Sequence, residues 1–283
     1  MDRETSRSQL YVAARKVLLD ALRALEAHGQ AVILCGAQAV YLRTGEADLA
    51  IAPYTADGDL ALDPSLLRDL PRLEVAMGEA NFTLRTGARY QPGSWVAPAE
   101  VEGATVWIPV DLIVPEGVAG KGGRRGARLG AHGNRAARRA VGLEAALADR
   151  SPMQIGALDP SDTRSIETLV AGTAALLVAK AHKLHDRLSQ GRTERLADKD
   201  AGDVVRLIQA TVAIEVAATM ARLQKDPIAG PVTKSALDYL DQLFGRRGGT
   251  GIEMAARALF PALSGDTIEV ICTSYVAQLR DTQ

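Results

Sequence analysis

Apolar positions follow two different patterns along the chain, and the change falls near residue 172. Before it, short β-prone runs alternate with helical periodicity over 8–28 and in "AQAVYLR" and "SLLRDLPRLEVAMG". The strand-like runs are "AVILC", "DLALD", "NFTLR", "ATVWIPVDLIV" and "SIETLV". This mixture predicts an α+β fold, a mixed α/β sheet flanked by helices, as a first domain over 1–171.

The second part of the chain has almost only helical periodicity. Apolar residues recur three or four positions apart in "TAALLVAKAHKLHDRLS", "DKDAGDVVRLIQA", "AIEVAATMARLQ" and "SALDYLDQLF". Breaks are predicted at Pro227, at Pro231 and at the glycines near 248–251. The pattern predicts a helical C-terminal domain over 172–283.

Composition is that of a globular protein with a substantial core, since 47% of the 283 residues are hydrophobic. No apolar run approaches the roughly 18–20 residues that span a bilayer. The first residues are charged and contain no apolar signal segment. We therefore expect a cytoplasmic protein without a membrane partner. Cys35 and Cys272 have no metal-type spacing, and both are expected to be buried thiols.

Two carboxylates interrupt an apolar segment at Asp57 and Asp59, with Gly58 between them. Side chains alternate along an extended chain, so the two carboxylates project to the same side. Their repulsion is relieved by a hard cation such as Mg²⁺, or by open solvent. Asp63 shares their parity but precedes Pro64 and a helical pattern, so a helix N-cap explains it without a metal.

A third carboxylate, Asp111, is the single charge in the apolar run "ATVWIPVDLIVP". Alone it could be an edge-strand residue, a salt-bridge partner or a ligand. The Asp-x-Asp pair at the end of another strand favours the ligand interpretation.

These features resemble the nucleotidyltransferase superfamily of the polymerase-beta type: a strand ending at Gly36, a short helix, Asp57 and Asp59, then Asp111 in a later strand. Within it, "LLVAKAHKLHDR" and "LADKDAGDVVRLI" resemble the AbiEii-like nucleotidyltransferase toxins of abortive-infection and type IV toxin-antitoxin systems. The resemblance covers roughly 30–65, 104–115 and 165–210. One departure is that the usual Gly-Ser is here Gly36-Ala37, which leaves backbone N–H groups to hold a phosphate.

The resemblance implies a metal-dependent enzyme that moves a nucleoside monophosphate from an NTP to an acceptor hydroxyl. Mg²⁺ or Mn²⁺ would be its cofactor, and Asp57, Asp59 and Asp111 its catalytic residues and metal ligands. The implied nucleotide-binding residues are Gly36, Ala37, Gln38, Lys180, Lys183, Arg187, Lys199 and Asp200. An RNA acceptor such as a tRNA 3′ end and a cognate antitoxin are the implied partners.

Lys180, Lys183 and Arg187 lie three and four residues apart, so they share one helix face and can contact a triphosphate. The alternative is a solvated charged face with intrahelical pairs. The apolar residues before Lys180 favour an anion near its ammonium group. His182 and His185 are expected to be surface or packing residues, since no third metal ligand accompanies them.

Net charge is near zero, but its distribution is uneven, because no acidic residue occurs over 117–143. A basic segment in this region predicts a contact surface for phosphates, or alternatively a mobile, solvated loop. Its candidate RNA-binding residues are Lys121, Arg124, Arg125 and Arg128.

Three alternatives to RNA modification remain open. A small-molecule nucleotidyltransferase acting on an antibiotic-type hydroxyl compound would use the same carboxylates, and so would an enzyme that nucleotidylates a protein hydroxyl. A non-catalytic binding module derived from the same fold would explain the missing serine, although the three aspartates argue against it.

Overall fold

The computed structural model describes residues 3–45, 54–85, 90–120, 125–191 and 198–281, and these residues form an α+β fold. Contacts divide the chain into two compact units. The sheet unit comprises described residues of Met1–Gln38, Pro53–Ala140 and Arg150–Ala171. The helical unit comprises those of Ala39–Ala52, Val141–Asp149 and Gly172–Gln283. Because neither unit is contiguous in sequence, the division into domains at residue 171 stays a prediction.

The sheet unit contains a mixed sheet, to which the described residues contribute eight strands. They are β1 (Val32–Cys35), β2 (Gly58–Leu62), β3 (Thr83–Leu84), β4 (Ser94–Val101), β5 (Ala104–Pro115), β6 (Arg138–Ala140), β7 (Arg150–Gly156) and β8 (Ser165–Ala171). The order is β3-β4-β5-β2-β1-β8-β7, with β6 paired to β5 beside this path. β2 and β5 are parallel neighbours, as are β1 and β8 and also β5 and β6; the other pairs are antiparallel.

One face of the sheet is covered by helix α1 (Arg3–Ala24), which packs against β2, β4, β5 and β8. A Cβ added at Gly58 would lie 3.2 Å from Leu18 Cδ1 and 3.6 Å from Val110 Cγ2, so these positions face α1. Leu60 and Leu112, two residues further along their strands, are also fully buried. Alternation then directs Asp59 and Asp111 to the face opposite α1.

The predicted strands in the sheet unit are confirmed, but three element predictions were wrong or incomplete. The helix predicted over 65–78 is restricted to α3 (Leu73–Glu79), since Pro71 has no N–H and disfavours a helical residue before it. α1 ends at Ala24 and is followed by a 3-10 helix, Glu26–Ala31. β4, β6 and β7 were not predicted, because proline and arginine interrupt their patterns.

Asp63 is not the helix N-cap that the sequence predicted. Its Oδ1 accepts hydrogen bonds from Ser65 N at 3.0 Å and Ser65 Oγ at 2.6 Å, which closes a turn after β2. Its Oδ2 lies 3.4 Å from Arg150 Nη2. Asp63 therefore has a structural role independent of any metal, as expected, but it stabilises a turn.

The helical unit is built from α4 (Thr173–Ser189), α5 (Asp198–Ala210), α6 (Ala213–Leu223), α7 (Ala229–Phe244), α8 (Thr250–Leu259) and α9 (Gly265–Asp281). Asp149 anchors its first helix, because Asp149 Oδ2 accepts a hydrogen bond from Ala175 N at 2.9 Å. The break predicted at Pro231 was wrong: Pro231 lies in the first turn of α7, where a missing N–H costs no helical hydrogen bond. The core of the unit includes Leu177, Val204 and Phe244, which are fully buried.

Within the described parts of the chain, no single helix has the length and apolar character needed to cross a membrane. α5 and α6 satisfy these criteria only when taken together, and they are bent by 112° at the break between them.

Candidate functional site

Asp59 and Asp111 are register partners on the parallel strands β2 and β5. Neighbouring strands lie about 4.8 Å apart, so the two carboxylates start from adjacent backbone positions on one face of the sheet. Both side chains are partly exposed. The structure thus brings together two of the three predicted catalytic carboxylates, from segments about fifty residues apart in sequence.

Asp57 lies one residue before β2 and is exposed. Its Oδ1 accepts a short hydrogen bond from the hydroxyl of Thr55, which is itself buried. The hydroxyl fixes one carboxylate oxygen close to the chain. Asp57 therefore presents a partly oriented carboxylate at the start of β2, two residues from Asp59.

Gly36 follows β1 and begins α2 (Gly36–Thr44) with a φ of +69°. A Cβ at this position would overlap Asp59 Oδ2 and lie 2.8 Å from Asp59 Cγ. The Asp59 carboxylate thus occupies the space that a side chain would need. Glycine is required here both for the left-handed backbone and for the close approach of the carboxylate.

A buried arginine that the sequence analysis did not identify supports the backbone of Asp57 indirectly, through Gln38. Arg15 is 3% exposed, and its Nε donates to Gln38 Oε1 at 2.8 Å. This contact orients the amide so that Gln38 Nε2 donates to the backbone carbonyl of Asp57 at 3.0 Å. The Arg15 guanidinium also donates to Gly156 O at 3.0 Å and Tyr11 Oη at 3.1 Å.

The side chain of Gln38, predicted to contact a nucleotide, is 1% exposed and belongs to this internal network. Ala37 is also buried. Any contribution of these residues to nucleotide binding would therefore come from the backbone at the start of α2, as the sequence analysis expected for a site without serine. The one available signal for Arg15 was its position in the mostly apolar run "YVAARKVLL".

Asp111 forms an ion pair with Arg138 of β6. Arg138 Nε and Nη2 both donate to Asp111 Oδ2, at 3.2 Å and 3.1 Å. The Arg138 and Asp111 side chains are 20% and 23% exposed, respectively. Of the three interpretations that the sequence left open for Asp111, the structure shows a salt bridge.

Among the residues that the structure describes, no group of three or more His, Cys, Asp or Glu side chains could hold a metal ion. A complete three-carboxylate cage is therefore not formed by them. Mg²⁺, however, is commonly held by one or two carboxylates together with waters and substrate phosphates. Asp57 and Asp59 supply such a pair of hard oxygen donors, and the space beside Gly36 accommodates the Asp59 carboxylate, so this donor set suits Mg²⁺ or Mn²⁺.

The predicted phosphate-binding cations of α4 belong to an ion-pair network inside the helical unit. Lys180 Nζ donates at 2.6 Å to both Asp200 Oδ1 and Asp203 Oδ2, and the three side chains are 5% exposed or less. Burial disfavours the ammonium ion, but the two carboxylates outweigh burial and raise the pKa of Lys180. The anion that the apolar surroundings of Lys180 required is thus supplied by the protein itself.

Lys183 and Arg187 form the exposed side of the same network. Lys183 Nζ lies 3.0 Å from Asp200 Oδ1, and Arg187 Nη1 lies 2.6 Å from Asp200 Oδ2. Burial opposes ionisation of Asp200, but these cations and Lys180 prevail and lower its pKa. Asp200 is therefore an anchor for the cations. Lys199, in the first turn of α5, is partly exposed.

Half of the predicted RNA-binding residues can be located, since Lys121 and Arg124 lie outside the described residues. Arg125 and Arg128 are exposed. The backbone of this segment folds back along β6, with Arg139 N donating to Arg125 O at 2.9 Å and Ala127 N donating to Ala137 O at 2.9 Å. From Arg125 onward the basic segment is thus held by backbone hydrogen bonds.

The predicted packing roles of the histidines in α4 agree with their contacts. His182 Nε2 donates to Val232 O at 2.8 Å, and His185 stacks on Tyr239 with ring centroids 3.7 Å apart. Cys35 and Cys272 are buried thiols that form no disulfide. Burial raises the pKa of Cys272 to about 12, which keeps this thiol protonated and unreactive.

No model of a known protein family matches the chain. No curated protein matches it either. The geometry of the residues described above is accordingly the basis of the functional proposal.

Proposed function

We propose that the protein is a metal-dependent nucleotidyltransferase that moves a nucleoside monophosphate from an NTP to an acceptor hydroxyl. The observation that carries the proposal is the register pairing of Asp59 with Asp111, on the sheet face opposite α1, with Gly36 against Asp59. Two carboxylates at adjacent positions repel each other, and Arg138 already compensates the charge of Asp111. A site for a divalent cation and a triphosphate is a chemical use for that arrangement.

In the proposed reaction, Asp57 and Asp59 would hold the divalent cation. When bound, the cation neutralises charge on the triphosphate oxygens and on the departing pyrophosphate. Asp111 accepts the proton of the acceptor hydroxyl, whose oxygen forms a bond to the α-phosphorus. The bond from the α-phosphorus to the bridging oxygen breaks in line, and pyrophosphate leaves with that electron pair. The Arg15–Gln38 contact keeps the backbone at Asp57 in place.

Contacts to the triphosphate are proposed for backbone N–H groups at the start of α2. Lys183 and Arg187, which belong to the helical unit, stay predicted phosphate contacts. The network of α4 and α5 combines three cations with two carboxylates, which leaves one net positive charge. Lys183, whose side chain is 45% exposed, can contact an anion more readily than Lys180 can. For Lys180 the structure favours a role in supporting the network.

An RNA acceptor, such as a tRNA 3′ end, is favoured by the exposed Arg125 and Arg128 on the segment that follows β5. A small hydroxylated acceptor or a protein hydroxyl would use the same carboxylates. A toxin paired with an antitoxin, acting in the cytoplasm, is the biological setting that the sequence resemblance implies, and it stays a prediction.

The test is a screen of four labelled NTPs with Mg²⁺ or Mn²⁺ against total RNA and total protein. Asp57→Asn and Asp59→Asn should each reduce transfer by about 10²-fold or more, because the cation is deprived of a charged ligand. Asp111→Asn should remove transfer but leave nucleotide binding measurable. Asp69→Asn is the control, since Asp69 is an exposed carboxylate of the sheet unit outside the site.

If Asp57→Asn or Asp59→Asn still transferred the label as the wild type does, the assignment of the metal ligands would be contradicted. Binding of NTP and cation without transfer to any acceptor would instead favour the non-catalytic binding module. A product in the protein fraction, or in neither fraction until a small hydroxyl compound is added, would identify the other acceptors.

A further inference from the structure

Arg138 and Asp111 form an ion pair beside the proposed cation site. Both hydrogen bonds from the guanidinium end on Oδ2 of Asp111, at 3.1 Å and 3.2 Å. Asp111 is also the register partner of Asp59, one of the two proposed cation ligands. A permanent positive charge is thus located next to the place where a divalent cation would bind.

In the free protein, the Arg138 guanidinium supplies a positive charge where a metal cation would otherwise supply it. Asp59 and Asp111 project from adjacent strands on the same face, and like charges so placed repel each other. The fork of Arg138 supplies a compensating charge with directed hydrogen bonds. The free protein therefore does not need a metal to hold the Asp111 carboxylate in a fixed orientation.

The backbone of Arg138 is fixed in place. In β6, Arg138 pairs with Ile113 of β5, two residues beyond Asp111. A Cβ at Gly93 would overlap the backbone nitrogen of Arg138 and the carbonyl oxygen of Leu112, so Gly93 packs directly against this pairing. A shift of β6 would disturb this packing, whereas rotation of the side chain separates Arg138 from Asp111 without doing so.

We propose that Arg138 limits the affinity of the candidate site for divalent cations, because its guanidinium and the incoming cation compete for the charge of Asp111. The inference rests on the proposed function. A cation that binds Asp57 and Asp59 either displaces the guanidinium or tolerates a positive neighbour, and both alternatives reduce affinity. Tight binding is then expected only with the nucleotide triphosphate, whose negative charge offsets that of Arg138. Arg138 is thus a positioning residue for Asp111 and a selector for the cation–nucleotide complex over the cation alone.

The experiment measures Mn²⁺ affinity of the full chain without nucleotide, by calorimetry and by the disappearance of the free-ion EPR signal. Arg138→Gln should bind Mn²⁺ about tenfold more tightly than the wild type, the factor expected for a divalent cation about 6 Å from a unit charge even at the dielectric constant of water. Arg138→Met, which keeps an apolar stem without charge, should behave alike and serves if the Gln variant does not fold. Arg138→Lys, which keeps the charge, should stay near the wild-type affinity.

The matched control is Arg139→Gln. Arg139 is the next residue of β6 and donates to both carboxylate oxygens of Glu116, at 3.0 Å and 2.6 Å. Its substitution removes the same charge from the protein and breaks a comparable ion pair, but it leaves Asp111 and Arg138 unchanged. We expect the Mn²⁺ affinity of Arg139→Gln to equal that of the wild type.

Equal Mn²⁺ affinity in the wild type and in both neutral Arg138 variants would overturn the inference, as would weaker binding in those variants. If these proteins bind Mn²⁺ equally well and Asp59→Asn abolishes the binding, the inference about Arg138 fails but the proposed function is unaffected. Absence of Mn²⁺ binding in all of these proteins, with and without NTP, would count against both the inference and the proposed function.

Discussion

The Asp59 carboxylate occupies the space that a side chain on Gly36 would need. A Cβ on Gly36 would overlap Asp59 Oδ2, and φ at Gly36 is +69°. The turn from β1 into α2 and the position of the Asp59 carboxylate therefore depend on the same missing side chain. Substitution of this glycine tests the geometry of the candidate site without changing any charge.

We expect Gly36→Ala to lower the free energy of unfolding by at least about 1–2 kcal/mol, the cost of a left-handed conformation for an L-residue. Displacement of Asp59 should in addition weaken Mn²⁺ binding. Urea unfolding and Mn²⁺ titration measure the two effects. Gly29→Ala is the control, because a Cβ there meets nothing within 4 Å. Equal stability of the two variants would contradict the close packing of Gly36 against Asp59.

Lys180→Met should be severely destabilising, with a decrease of about 3–5 kcal/mol in the free energy of unfolding, because it removes the buried partner of Asp200 and Asp203. Lys183→Ala should cost only about 0–1 kcal/mol, since that side chain is 45% exposed. Urea unfolding at neutral pH distinguishes the two. Similar decreases for both variants would show that the network depends less on Lys180 than its burial indicates.

Nucleotide binding by Lys183→Ala and Arg187→Ala tests the phosphate role separately from stability. Each variant should raise the NTP Kd if its cation contacts the triphosphate. An unchanged Kd in both, in protein shown to be folded, would leave these cations with a structural role only.

Stability should fall as pH drops below about 6.5, in part because of His28. Burial, helped by nearby His132 and Arg68 and opposed by the hydrogen bond to Pro71, lowers the pKa of His28 from its ordinary value of 6.5. His28 Nε2 donates to Pro71 O at 2.9 Å, while the buried Nδ1 has no hydrogen-bond partner among the described residues. Protonation would therefore add a buried N–H without an acceptor.

For the sign, the unfolded chain binds a proton at about pH 6.5 and the folded chain only at lower pH, so acid favours unfolding within that window. The expected decrease in stability from this residue is about 1.4 kcal/mol for each pH unit between the two pKa values. Thermal or urea unfolding of wild type and His28→Gln from about pH 7.5 to about pH 5 measures it. His28→Gln should have the shallower pH dependence, and parallel curves would contradict the prediction.

RNA binding, if RNA is the acceptor, should depend on salt through the basic segment. The Ala variant of Lys121, Arg124, Arg125 and Arg128 should bind RNA more weakly, with a salt slope smaller by about 0.7–0.9 for each phosphate that the variant no longer neutralises. Lys16→Ala with Arg23→Ala is the control, because both residues are exposed on α1, which covers the sheet face opposite Asp59. RNA affinity measured against salt concentration decides the matter, since coincident lines for wild type and the four-residue variant would remove the RNA hypothesis.

The features that sequence reasoning predicted correctly are those with a short-range signature. Isolated charges in β-prone runs at Asp59 and Asp111 placed both carboxylates on strands, and the helical period located α4 and α5. Alternation around Gly58 predicted that Asp57 and Asp59 project to one side, and Leu18 of α1 lies against Gly58 on the side opposite Asp59. Each of these inferences needed only neighbouring residues.

The partners of charged residues were not predictable, because they come from distant segments. Nothing in "ATVWIPVDLIVP" indicates that Arg138, 27 residues further on, binds Asp111. The separation between Arg15 and Gln38 is 23 residues, and that between Lys180 and Asp203 is also 23. Sheet order and helix packing decide such pairs. One sequence contains no direct record of either, so the phosphate role of Lys180 and its internal ion pair could not be distinguished.

Gly58 has no reactive side chain, yet two independent structural requirements apply to it. A Cβ on Gly58 would lie only 3.2 Å from Leu18 on one face of the sheet. The residues on either side of Gly58 must direct the carboxylates of Asp57 and Asp59 to the other face. A side chain at this position would displace helix α1 and also shift the backbone that carries both carboxylates. During divergence, we expect a lineage that abandons catalysis to remain constrained at residue 58 for as long as α1 covers the sheet, whereas Asp57 becomes free to vary.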